Sequence, residues 1–157
     1  MNAPLNSAGD IAIEIARRLG LILISNGCET DIGRTVMRGR RKMPGDDDPP
    51  CVVVFEGGDD VKDHPGRIPQ LLVNQVYAID GFDKCDPDNP NDQAHRMIRD
   101  IKRALFSENG VVDTTLGGRV RAIDYAGRDI GPRPDGAALV QARVMVQVQY
   151  VENLATP

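Results

Sequence analysis

Two histidines and three cysteines are the side chains in this sequence best suited to metal or nucleophilic chemistry. His64 lies in an Asp/Pro/Gly stretch and His95 opens a helical pattern. Cys28, Cys51 and Cys85 show no CxxC spacing. Tetrahedral zinc sites place their ligands in closely spaced pairs, and no such pair occurs here. Reduced, unpaired thiols are therefore expected, with Cys51 as a small buried hydrophobe. The serines, Ser7, Ser25 and Ser107, are each explained as caps or turn residues, and none has a base at diagnostic spacing. Gly117-Gly118 lacks the spacing and lysine of a phosphate loop. The acid-rich run Asp83–Asp92 lacks the central glycine and terminal glutamate of a calcium loop, and two prolines interrupt it. The expectation is a protein without catalysis, cofactor or metal.

The densest charge lies between residues 38 and 50. Arg38, Arg40, Arg41 and Lys42 precede Asp46, Asp47 and Asp48, with prolines and glycines between and after them. This composition cannot bury enough apolar surface to order itself, so an exposed, mobile loop is expected. A nucleic-acid patch is disfavoured because the three aspartates cancel the field of the four cations. The alternative is a charged arm that orders against another subunit or partner. These seven residues are the candidate contact residues.

The element most clearly written in the sequence lies far from that loop. In Ala137–Glu152, Val140, Ala142, Val144, Val146, Val148 and Tyr150 share one parity, while Gln141, Arg143, Met145, Gln147 and Gln149 share the other. Period two predicts a long strand with one dry face. Helices are predicted at two earlier positions in the chain. Ile11, Ile15 and Leu19 recur at four-residue spacing, with Ser7 or Asp10 as cap and Gly20 as stop. Gln93–Phe106 sets Ala94, Met97, Ile98, Ile101, Ala104 and Leu105 on one side, and Arg96, Arg99, Asp100, Lys102 and Arg103 on the other. Asn89 suits the N-cap, Pro90 the first helical position, and Asn109 or Gly110 a left-handed end. Leu21–Ile24 fits either a longer helix or a turn.

Further strands are predicted at Asp31–Gly39, at Pro49–Gly58 and at Pro69–Phe82. The apolar run from Cys51 to Phe55 suits a central strand covered on both faces. A polar connection, Asp59–Arg67, would join it to the next strand as an antiparallel hairpin. Arg119–Asp129 is a strand that a Pro/Gly-rich loop turns into the last one. Asn153–Pro157 reads as a frayed tail. The order predicts one α+β domain over residues 1–157: a mainly antiparallel sheet of four or five strands, with room for a mixed pair, and two helices on one face.

Bulk properties narrow the function. Aromatics make up 4% of the 157 residues and tryptophan is absent, which removes the stacking platforms of single-strand nucleic-acid binders. A net charge of −4 argues against general phosphate affinity. No apolar run reaches the ~20 residues of a membrane span, and the N-terminus lacks signal-peptide features. A cytoplasmic start is expected.

A short N-terminal helix leads to an arginine-bearing strand, then to Pro49-Pro50-Cys51-Val52-Val53-Val54-Phe55 ending in Glu56-Gly57-Gly58-Asp59-Asp60. After the middle helix come Tyr125-Ala126-Gly127-Arg128-Asp129-Ile130, a Pro/Gly turn and a Val-x-Val-x-Val-x-Tyr strand. In this order the chain resembles the tail terminator (minor tail protein U-like) family of long-tailed bacteriophages and prophages. The resemblance implies a homo-hexameric ring seated on the last ring of the tail tube. Such a ring ends tube polymerisation, meets the tail tube protein and the head-completion protein, and lets DNA pass through its lumen. It implies a place in the virion tail after assembly in the host bacterial cytoplasm. Acidic residues around a lumen would repel DNA and let it slide. Two other classes fit the same chain: another neck or tail-completion protein, and a small cytoplasmic enzyme or ligand-binding domain.

Overall fold

A computed structural model describes residues 7–39, 49–62, 70–131, 136 and 138–155. In chain order the regular elements are α1 (Ser7–Leu19), β1 (Val36–Arg38), β2 (Cys51–Lys62), β3 (Gln70–Lys84), α2 (Pro90–Phe106), β4 (Ser107–Glu108), β5 (Val111–Val112), β6 (Ala122–Ile130) and β7 (Leu139–Asn153). The fold is α+β. Five strands form one sheet in the order β1-β2-β3-β7-β6, while β4 and β5 make a separate two-stranded ribbon. All neighbouring pairs in the large sheet are antiparallel except β1 with β2, which is parallel.

β7 behaves as its alternation predicts. Ala142, Val144, Val146 and Val148 are fully buried, and Val140 and Tyr150 nearly so. They form one apolar cluster with Ile11, Ile15 and Leu19 of α1 and with Met97, Ile98, Ile101 and Leu105 of α2. Both helices therefore cover the same sheet face. Burying each such side chain contributes roughly 1.5–3 kcal/mol, which makes this layer the main source of stability. Gly81 lets α2 approach β3: a Cβ there would stand 3.1 Å from Met97 Sδ and 3.4 Å from Ile32 Cδ1.

The structure revises several local expectations. Leu21–Ile24 turns rather than extending α1; a 3-10 turn over Ile24–Asn26 follows, and Ile22 enters the core. The strand expected over Asp31–Gly39 shrinks to Val36–Arg38. Ile32–Arg34 instead forms a 3-10 turn. Gly33 explains this, because its N–H donates to the Ile22 carbonyl at 2.9 Å and its Cα lies against the end of α1. Ile32 beside it is fully buried. β2 is not the central strand, and only Cys51–Val54 is buried. Nor does it stop at Gly57-Gly58. It continues to Lys62 through a register shift between Glu56 and Asp59. Gly57 permits that bulge, since a Cβ there would sit 2.7 Å from the Val76 carbonyl oxygen.

α2 starts at Pro90 with Asn89 at the N-cap, but the Asn89 side chain makes no capping bond; its Nδ2 reaches Asp86 Oδ2 at 3.4 Å. The helix ends in extended Ser107 rather than in a left-handed residue. Asn109 and Gly110, at φ 51° and 78°, form the tight turn between β4 and β5 instead. Two consecutive left-handed residues match the twist of such a ribbon.

Candidate functional site

Of the seven candidate contact residues, the structure describes Arg38. It ends β1, is exposed, and pairs in register with Val54. Arg40, Arg41, Lys42, Asp46, Asp47 and Asp48 lie outside the described residues. So does His64. His95 is exposed on α2, with Nδ1 3.4 Å from an Arg128 guanidinium nitrogen. Cys28, Cys51 and Cys85 form no disulfide, and burial, aided by the Asp100 charge, pushes the Cys28 thiol up. Among the described residues no three His, Cys, Asp or Glu side chains group as a metal site. Among the described residues no helix is long and apolar enough to cross a membrane.

Two open depressions mark the surface. One, of about 330 Å³, lies at the start of α2 between Lys84, Asp86, Asp92 and Arg96. The other, of about 530 Å³, lies where the ends of α1 and α2 meet the β4–β5 ribbon, beside Arg17, Leu21, Cys28, Arg103 and Glu108.

The strongest electrostatic assembly adjoins the second depression. Arg18 is 2% exposed, yet it is a cation. Its guanidinium donates to Glu14 Oε1 at 3.0 Å, Glu108 Oε2 at 3.1 Å and Asp113 Oδ2 at 2.7 Å. Arg17 adds bonds to both Glu14 oxygens and to Glu108. Arg119 approaches Glu14 at 3.6 Å. Burial works against the charge on Arg18, but hydrogen bonds with Asp113 and Glu14 outweigh it and hold the cation firmly. Glu14 is held below its ordinary range, chiefly by the hydrogen bond from Arg17. Asp113 is held well below it by Arg18, aided by the N–H groups of Thr115 and Gly117. The network ties α1 to the segment after α2, a connection made by tertiary structure rather than by sequence neighbours. The i,i+3 and i,i+4 spacings of Glu14 to Arg17 and Arg18 are the one sign of it in the sequence.

Asp100 is a second buried charge. The pattern of α2 placed it on the outer, charged face, but it is 2% exposed. It accepts N–H bonds from Glu29 and Thr30 and the Thr30 hydroxyl at 2.7 Å. These bonds fasten the loop after α1 to α2. On the sheet face away from the helices, buried Asp80 accepts two bonds from Arg143, at 2.6 and 2.8 Å, and one from Gln141 at 3.1 Å. The wet parity of β7 is therefore half-buried, with Met145, Gln147 and Gln149 intermediate in exposure.

On the helix side of the sheet, cations gather beside β6 and acids along β2, while β6 carries exposed Asp124 and Asp129 on its other side. The outer face of α2 exposes Arg96, Arg99 and Arg103, of which Arg99 pairs with Glu29 at 3.0 Å and Arg103 donates to the Gly27 carbonyl at 3.2 Å, both in the loop after α1. Lys102 Nζ stands 4.3 Å from the centre of the Tyr125 ring on β6, a cation–π contact. Arg128 joins this group beside His95. At the opposite edge, the exposed half of β2 carries Glu56, Asp59 and Asp60, with Lys62 paired to Asp60 at 2.8 Å.

No protein-family model matches the chain, and no curated protein matches it in sequence.

Proposed function

We propose that this chain is a structural protein of a long-tailed phage or prophage, assembled in the host cytoplasm, that caps the tail tube and prepares it for joining to the head. In this reading the chain is not an enzyme and carries no cofactor. Copies form a ring on the last tube ring, one face meeting the tube protein and the other the head-completion protein, with DNA crossing the lumen. The element order that resembles the terminators motivates the proposal. The observation that carries it furthest is the sheet itself. On the helix side its two edges differ in chemistry, acidic at β2 and cationic beside β6, and neither edge is closed by a strand along most of its length among the described residues. A subunit with two unlike, complementary sides is suited to head-to-tail contacts, which generate rings when the rotation closes.

The direct test adds the purified chain to a polymerising phage tail tube protein and measures tube length by negative-stain electron microscopy. Short tubes with a ring at one end are expected. An unchanged length distribution at saturating chain refutes the reading. The segment Arg38–Asp48 is assigned to subunit or partner contact. Normal rings and normal joining after joint neutralisation of Arg40, Arg41 and Lys42 refute that assignment.

A further inference from the structure

The two open edges are matched in more than the sign of their charge. β1 covers β2 only from Val52 to Val54, so β2 has no strand outside it from Phe55 to Lys62 among the described residues. On β6, Ile123 donates its N–H to the Thr114 carbonyl at 2.9 Å, and from Asp124 onward no described strand lies outside. Exposed strand edges of this kind offer unpaired N–H and C=O groups to another chain.

The ladder fixes how the two edges align. Glu56 pairs with Tyr77, Tyr77 with Val146, and Val146 with Tyr125. Asp59 leads in the same way through Gln75 and Val148 to Ile123. One row of the sheet thus runs from Glu56 to the tyrosine under Lys102. Arg128 is level with Val54 and Ile130 with Val52, which β1 covers, so a neighbouring copy must be displaced along the strands by a few residues to set the two open stretches side by side. Three successive antiparallel pairings make β2 and β6 run in opposite directions. β6 of one copy set beside β2 of another is then antiparallel, like most contacts already in the sheet.

The faces also agree. Residues paired across a sheet share a face. Tyr77, Val146 and Val148 belong to the core under the helices, so Glu56 and Asp59 lie on the helix side of β2. Tyr125 and Arg128, paired with Val146 and Val144, lie on the helix side of β6, where Lys102 and His95 meet them. Asp124 and Asp129 pair with Gln147 and Arg143 and so lie on the other side.

We propose that copies of this chain join head to tail through these edges, with β2 from Phe55 to Lys62 in one copy beside β6 from Asp124 to Ile130 in the next, and Glu56 and Asp59 facing Lys102 and Arg128. A two-fold contact of either edge with itself sets like charges against each other, which disfavours it. On the helix side the unlike pairing matches opposite charges, and along the strands it adds hydrogen bonds, the mode of β-augmentation. The contact names how the proposed ring closes and rests on that reading.

Charge reversal tests it by size-exclusion chromatography with light scattering. The wild-type chain is expected above monomer mass. The double variants E56K/D59K and K102E/R128E are each expected to lose self-association by at least about tenfold, since like charges then meet across the interface. An equimolar mixture is expected to recover it, because the first variant is cationic at both edges and the second acidic at both. Recovery also excludes misfolding as the cause of the loss. Wild-type chain that stays monomeric up to about millimolar concentration overturns the proposal, as do single variants that assemble normally or a mixture that does not recover. The tube-capping assay separates the two readings: a chain that self-associates through these edges without capping tubes refutes the terminator reading alone, and a monomer that caps tubes refutes this contact alone.

Discussion

Replacing Arg18 by methionine tests whether the buried ion network holds α1 to the rest of the fold. Methionine keeps the length and apolar stem of the side chain and removes the charge. Removing one partner of a buried ion pair commonly costs about 3–5 kcal/mol, because the remaining charge is left without compensation. Here the remaining groups keep other partners. Glu14 retains Arg17 at 2.6 Å, Glu108 retains Arg17 at 2.8 Å, and Asp113 retains the Thr115 and Gly117 N–H groups and the Thr115 hydroxyl. Glu108 is also 38% exposed, so water solvates it in part. The expected cost of Arg18→Met therefore falls below that range, at about 2–3 kcal/mol. For a domain of this size that lowers Tm by roughly 5–10 °C. Urea unfolding followed by circular dichroism gives the free energy. Amide exchange locates it: protection at Asp113–Val120 should fall more than protection in β3 and β7. A variant within about 0.5 kcal/mol of wild type refutes the reasoning, because surface substitutions alone give effects that small.

Two further expectations concern packing and pH. Gly33→Ala should cost about 3 kcal/mol, since its Cβ would collide with the Leu19 carbonyl oxygen and lie 2.7 Å from that of Ile22, both backbone atoms. Gly81→Ala, opposed first by the flexible Met97 side chain, should cost about 1 kcal/mol, and equal midpoints for the two in a denaturant titration contradict this account. Glu14 and Asp113 are held below their ordinary values of 4.5 and 3.8, so their stabilisation is complete above those values and is lost as pH falls through and beneath them. Tm should be level from neutral pH to about 5 and then decline, and a Glu14→Gln/Asp113→Asn variant should decline less steeply; parallel declines contradict the assignment.

What the sequence showed and what it hid differ by the range of the interaction. β7 was legible because a dry face repeats every second residue over fifteen residues, and α2 because its apolar stripe spans four turns. Asp100 was misplaced because helical periodicity cannot separate a solvated acid from one satisfied by Thr30 in a distant loop. The short β1 and its parallel pairing depend on Gly33 packing against α1, a contact without local signature. Gly57-Gly58 looked like a stop because glycine commonly ends strands, whereas here it makes a bulge within one. The charged surfaces were half legible. The cations of α2 were visible as a helix face, but their placement beside β6, level with Glu56 across the sheet, follows only from the strand order.

That strand order also dictates a sequence of events. β7, the last strand in the chain, lies between β3 and β6, and its register with β3 runs from Gln70 with Asn153 to Lys84 with Leu139. During synthesis β2 and β3 can pair early as a hairpin, but β3 then waits with an apolar, unpaired edge until β7 emerges. Non-local pairing of this kind slows folding and exposes intermediates to aggregation. Nascent chains arrested before Leu139 should therefore recruit holding chaperones, and release should coincide with the arrival of the valine strand.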